Sequence, residues 1–425
     1  MVGQSFRERF LSPSRAVFLS FCLFVITFYN PVTFISNVAI ELMGIAWLYS
    51  GNYRNIAQLW KSKAVLGLLI WYLFQILTIT YSVNKGNAFK WMEYRASLAY
   101  MPLIIGTAFL KKEEIRKILL LFAWTTVCAA ILAILYGTAM VIHTGDTGYL
   151  YNDSLGILYE KQAVYLAMYV NFAVIILLGQ LHENRFAKKL YRNLALFAVL
   201  FLTAFVYLLA CRTALLLLLL VLGGYVFYMI FKQKRYLSGG MLVLGFLLAS
   251  VMSYKLFPKA ASRLLFVTQT AYTFESKGES DHFNGEHKAE NWNSVNTRLA
   301  IWACSREVIA GHLLFGTGIG DSEDALISQY EKHNFDFAIK YRLNSHNQYL
   351  DVILTYGLLG LFLFLTVFFI LTLRVVWKRK DFLFLFFVVS MGVYMITEVM
   401  LSRNQGTAFI AFFITLMSVP AREEA

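Results

Sequence analysis

Charge is what this chain has least of. Only 15% of its 425 residues are Asp, Glu, Lys or Arg, 59% are hydrophobic, and the mean hydropathy is +0.59. Soluble domains carry roughly 25% charged and 45–50% apolar residues, so an ordinary soluble protein is excluded. Proline is scarce too. Of the five, Pro13, Pro31, Pro258 and Pro420 stand at the ends of apolar runs, and Pro102 alone lies inside one, where it kinks a helix or marks a late start. The four cysteines make no framework: Cys22 and Cys128 lie within apolar runs, while Cys211 and Cys304 fall on one side of the membrane and can pair if that side is oxidising. Internal repeats and low-complexity tracts are absent. So is any His, Cys or carboxylate set with metal-ligand spacing, and no cofactor is expected. Gly316-Thr317-Gly318-Ile319-Gly320 lacks the G-x-G-x-x-G spacing and follows no strand, so it reads as a turn between helices.

What the chain does have is long apolar runs. A span needs about 20 such residues, which gives about twelve here. They are Ala16 to Tyr29, Thr33 to Tyr49, Ala64 to Tyr81, Ala96 to Leu110, Ile115 to Ile142, Gln162 to Leu181, Asn193 to Ala210, Thr213 to Phe231, Gly239 to Phe257, Tyr349 to Leu373, Asp381 to Val399 and Gly406 to Val419. The first two are short enough to be one re-entrant pair. The net charge of +13 is set by topology and is no nucleic-acid footprint, because basic clusters such as Lys111-Lys112, Lys188-Lys189 and Lys378-Arg379-Lys380 fall in alternate loops. The positive-inside rule then puts both termini in the cytoplasm and the long polar stretch outside, with Ala16 to Tyr29 as an uncleaved anchor. The expected fold is an all-α polytopic membrane protein of about twelve transmembrane helices with one large, mainly helical outer loop. Residues 1–257 carry helices one to nine, 258–345 the loop and 346–425 helices ten to twelve.

Within the loop, Ala260 to Phe274 mixes apolar residues with Arg263 and suits the membrane surface. Thr297 to Ile309 has helical periodicity, with Asn296 or Thr297 available as cap, and Asp321 can cap a further helix through Tyr330. Between Tyr81 and the fourth run, Ser82 to Arg95 has the composition of a short interfacial segment.

Two features carry chemistry. Ser345-His346-Asn347-Gln348 lies where the loop meets an apolar run, and Ser345 with Gln348 has the capping-box pattern. That makes His346 the first helical residue, where the helix dipole favours a neutral imidazole able to accept a proton. The plainer alternative is a polar residue capping a span. The second feature is cations at the beginnings of outer helices: Arg95, Lys161, Arg212 and Arg403 before spans, and Arg298 in the loop. The macrodipole penalises a cation there by about 0.3–1 kcal/mol, so repeated use of the position calls for an anion. Snorkelling accounts equally for a lone Arg212, and a solvated helix charge for Arg298.

His346-Asn347 followed by Gly357 and Gly360, with Arg298, Trp302, Gly316 and Gly318 in order upstream, resembles the loop signature of O-antigen ligases and the related O-antigen polymerases. The resemblance implies a membrane glycosyltransferase that moves O-antigen polysaccharide from undecaprenyl diphosphate to a sugar hydroxyl of the lipid A core, completing lipopolysaccharide. The reaction would occur on the periplasmic face of the bacterial inner membrane. It also implies that Arg212 and Arg298 hold the donor diphosphate and that His346 is the catalytic base. Arg95, Lys161, Asn347 and Arg403 are candidates for secondary substrate contacts on their positions alone, outside what the resemblance implies. Asp321-Ser322-Glu323-Asp324 departs from the Asp-x-Asp that holds a metal in sugar-nucleotide transferases, which favours arginines in place of a metal. Partners are then the two lipid-linked sugars and membrane lipid, with no nucleic acid. Two alternatives stand: a polymerase joining polyprenyl-linked repeats, and a transporter or flippase for lipid-linked sugars. Transporters place charge mid-membrane, and here Glu41 is almost the only clear instance.

Overall fold

The computed structural model describes residues 12–183, 185, 188–232, 270–276 and 292–420, with scattered positions between 234 and 255. Among them the regular elements are helices, with no strand. α1 (Pro13–Thr27) and α2 (Thr33–Tyr49) pack on one another, and α2 turns through 96° at Gly51 into a 3-10 segment, Asn52–Lys61. Then come α3 (Lys63–Thr78), α4 (Lys85–Tyr94), α5 (Ser97–Gly106) and α6 (Lys112–Thr144). Two 3-10 turns, Thr147–Leu150 and Asn152–Tyr159, lead to α7 (Ala163–His182), α8 (Lys189–Leu208) and α9 (Arg212–Phe227). The outer unit holds α10 (Asn296–Gly311), α11 (Ser322–Lys332) and α12 (Asp336–Lys340). α13 (Gln348–Leu365) continues through a π-helical turn into α14 (Leu371–Arg379), and α15 (Phe382–Thr397) and α16 (Asn404–Ser418) close the chain.

A helix occupies each expected run except Gly239 to Phe257, which lies largely outside the described residues. Among the described residues five helices can cross a membrane by length and composition, or six if the bent pair is one span; Pro13–Thr27, Lys63–Thr78 and Phe382–Thr397 are apolar but shorter. The fourth run departs furthest from expectation. α5 has 10 residues, about 15 Å of helix against a hydrocarbon core of about 30 Å.

α7 and α16 form the centre, buried on nearly every side as befits helices apolar all round. Phe409 and Phe413 of α16 interleave with Phe122 of α6, Phe172 of α7, Phe28 of α1 and Phe387 of α15. By contrast α8 and α9 leave Leu194, Leu200, Leu216 and Leu220 exposed, an apolar surface suited to lipid.

The outer unit has its own core of Trp292, Ile301, Tyr330 and Phe335 and docks on α13 through backbone. α13 breaks at Gly357 (φ 65°, ψ −166°), which frees helix carbonyls. Thr317 N–H and Gly318 N–H donate to Leu354 O and Thr355 O, and Leu358 N–H donates to Leu313 O, each at 2.9 Å. A broken helix is tolerable at membrane depth only when other protein satisfies its backbone. A Cβ on Gly357 would lie 2.2 Å from Leu314 O, and one on Gly316 2.4 Å from Thr355 O. These glycines therefore serve close docking of loop on helix.

Several expected caps are corrected. Ser345 is not the N-cap of α13. Asn347 is, accepting from Tyr349 N–H and Leu350 N–H, and His346 precedes the helix with left-handed backbone, φ 45°. The capping box fails because Gln348 is drawn off by a tertiary partner, its Oε1 accepting from Leu401 N–H at 2.8 Å. α10 is capped by neither Asn296 nor Thr297: Asn293 Oδ1 accepts from Val295 N–H and Asn296 N–H. Asp321 stands at the N-cap position of α11 without capping it, because its carboxylate accepts from Val83 N–H and Asn84 N–H, both at 2.7 Å. Cys211 and Cys304 are free thiols, not a pair. The interfacial segment after Tyr81 is α4, and the surface stretch Ala260 to Phe274 lies mostly outside the described residues.

Candidate active site

The site forms where the beginnings of α9, α10 and α13 meet the segment after α15. Two side chains at the start of α13 grip that segment. Gln348 holds Leu401 N–H, and His346 Nδ1 lies 3.5 Å from Glu398 Oε2, an ion-pair separation longer than a well-formed hydrogen bond. His346 Nδ1 is buried and has no closer partner, while the residue as a whole keeps contact with solvent. Its left-handed backbone costs about 1 kcal/mol, strain of a kind that collects at functional sites.

α10 brings the arginine. One helical turn separates Arg298 from Trp302, so both lie on one face. Trp302 Nε1–H donates to Ser345 O at 3.0 Å, pinning that face beside His346. Arg298 spends one donor on Ser294 O at 2.8 Å, and its Nε is buried with no partner. Burial draws the guanidinium pKa down, opposed by Glu398 and then Cys211. At Glu398 burial pushes the carboxyl up, but the facing His346 ring, then Arg298 and Val399 N–H, together hold it below its ordinary value. Arg298, His346 and Glu398 thus share one electrostatic environment.

Arg212 opens α9 beside them. Thr213 Oγ1 lies 3.1 Å from Thr397 Oγ1, next to Glu398, and Cys211 is within Coulombic reach of Arg298. Asn171 Nδ2–H fixes this corner, donating to Ala214 O and Tyr394 Oη, both at 2.9 Å.

The remaining sequence candidates fall elsewhere. Arg95 is interior and 5% exposed: Nε donates to Leu401 O at 3.1 Å, and Nη1 donates to Gln75 Oε1 at 2.9 Å and to Tyr356 Oη. It caps the C-terminal end of α4 and opens no span. Asn347 Oδ1 is occupied by capping. Lys161 and Arg403 line a separate cavity with Tyr94 and Asn404. Glu398 went unread in the sequence. Its signal was present: a lone carboxylate at the end of an apolar run is a functional-site candidate by default.

Chemically the arrangement pairs an anion-binding guanidinium with a carboxylate-backed imidazole. A carboxylate on Nδ1 favours the tautomer with its proton there, leaving Nε2 to accept one. The apolar helical bundle defines a membrane protein, and a guanidinium beside such an imidazole is chemistry suited to binding an anion and moving a proton. Residues 197–365 match the family model described as O-antigen ligase. The matched stretch includes Arg212, Arg298, His346 and Gly357 and ends before Glu398. No curated protein matches the chain.

Proposed function

We propose that this protein is a membrane glycosyltransferase that moves a polysaccharide from undecaprenyl diphosphate to a sugar hydroxyl of the lipid A core, at the periplasmic face of the bacterial inner membrane. Both termini would be cytoplasmic, with about twelve spans once the ninth run and the shorter helices are counted. The observation that supports this reading best is the meeting of Arg298, His346 and Glu398 beside the start of α9, where Arg212 stands.

In the proposed reaction the acceptor oxygen forms a bond to the anomeric carbon of the donor as the bond from that carbon to the diphosphate oxygen breaks. The hydroxyl proton passes to His346, whose imidazolium Glu398 then stabilises. Bonding electrons leave with the diphosphate, where Arg212 and Arg298 offset the developing negative charge. The diphosphate linkage supplies the driving force. This revises the earlier expectation for His346, since its carboxylate partner faces the ring more directly than the dipole of α13 does.

Purified protein given the polyprenyl-linked donor with either lipid A core or short polyprenyl-linked repeats tests the reading. Product on the lipid A core is expected. Extension of the repeats alone would make the protein a polymerase, and donor movement across a bilayer without any transfer would make it a transporter.

A further inference from the structure

A cavity of about 260 Å³ opens between α1, α2, α7 and α16. Its polar wall includes Asn30, Asn37 and Gln405, its apolar wall Phe24, Phe28 and Tyr169, and two cations, Lys161 and Arg403, complete it. No carboxylate lines it among the described residues. Lys161 is 5% exposed and its ammonium makes no hydrogen bond or ion pair among the described residues, yet the residue lines the cavity. An unpaired ammonium that deep is costly unless a counter-charge visits it.

The position of Lys161 is built. Its N–H donates to Gly156 O at 3.1 Å, Glu160 before it is left-handed at φ 50°, and a Cβ on Gly156 would come within 1.9 Å of Lys161 O. Only glycine allows the 3-10 turn to press against Lys161 this closely. Arg403 is exposed and stands at the N-cap of α16, whose first turn has no side-chain cap, so backbone N–H groups are available beside it.

We propose that this cavity is a second anion site, which takes the phosphate group of a membrane amphiphile, with Lys161 as the fixed cation, Arg403 at the rim and the aromatic wall receiving the apolar part. None of Arg212, Arg298, His346 and Glu398 lines this cavity, and the proposal does not depend on the reaction proposed above: binding is measurable whether or not sugar is transferred. Burial draws the Lys161 ammonium down to about 8, opposed by the Glu160 carboxylate. The other titratable or charged groups facing the cavity are Tyr94, Tyr169 and Arg403.

Calorimetric titration of the full chain in neutral detergent with dioctanoyl phosphatidylglycerol tests this, since that phosphodiester keeps its charge over the pH range needed. Lys161→Gln is expected to weaken binding about tenfold, Lys161→Arg to restore most of it, and Arg403→Gln to weaken it about threefold. Melting temperature reports folding, and if Lys161→Gln does not fold, Arg403→Gln decides the matter. Affinity is expected to be full below pH 8, where the ammonium is charged, and to fall as the pH rises beyond it. Unchanged affinity in Arg403→Gln and in folded Lys161→Gln would overturn the proposal. Equal binding of dioctanoyl phosphatidylcholine would overturn it by removing the anion preference. Equal binding of dimethyl phosphate would overturn the amphiphile, leaving a free phosphate site.

Discussion

Arg95 is buried and Arg298 half-buried with its Nε sealed from solvent, and the two arginines are spent differently. Arg95 donates to Leu401 O, Gln75 and Tyr356, lies over the Trp91 ring at 5.5 Å and faces Asp351 at 3.9 Å. Its fork is consumed in tying α3, α4 and α13 to the segment that carries Glu398. Arg298 makes one bond to a carbonyl of its own helix start and leaves Nε buried without a partner. A fully satisfied guanidinium holds structure, whereas one kept short of acceptors in a dry setting is ready for an anion.

The largest effect should come from the residue beside the unspent arginine. His346→Ala is expected to lose about 10² to 10⁴ of transfer rate with the melting temperature little changed. A single-turnover assay with bound donor measures it, and near-normal transfer would remove the histidine from the chemistry. Next is Arg95→Met, which takes the donor from Leu401 O and the counter-charge from Asp351 in the interior, while Gln75 and Tyr356 keep their bond to one another, and should cost about 3–5 kcal/mol of stability. Thermal unfolding reads that loss, and a stable variant with weakened donor binding would erase the contrast between the two arginines. Arg298→Met should do the reverse, weakening donor affinity about tenfold or more while changing stability by about 1 kcal/mol or less. The mildest is Arg212→Lys, which keeps charge but loses the planar fork. A severalfold loss of donor affinity is expected, and unchanged affinity would argue against bidentate binding there.

Much of this end of the molecule was legible from sequence, because apolar runs and helix-start cations are local signals. Arg298 was read as a helix-start cation and His346 from the polar cluster ahead of an apolar run, and the structure brings both into reach of Glu398. What stayed hidden depends on partners far along the chain. Ser345 and Gln348 fit a capping box locally, but Leu401 competes for Gln348 and wins, so the cap passes to Asn347. Arg95 looked like a cation awaiting an anion because Gln75, Tyr356 and Leu401 are remote in sequence. Glu398 was obscured at the end of an apolar run, with nothing local to mark the imidazole across from it. Gly357 belonged to the family-like pattern, but its use as the break that receives the outer unit follows only from the backbone bonds made there.

The central claim is that His346 and Glu398 act as one unit, and a double-mutant cycle on transfer rate tests it most directly. Rates are needed for His346→Ala, Glu398→Gln and the double variant, each saturated with donor and acceptor. Glu398→Gln is expected to slow transfer when His346 is present and to cost nothing further once His346 is gone. If the two losses simply multiply, the carboxylate acts on its own and the account of the site is wrong.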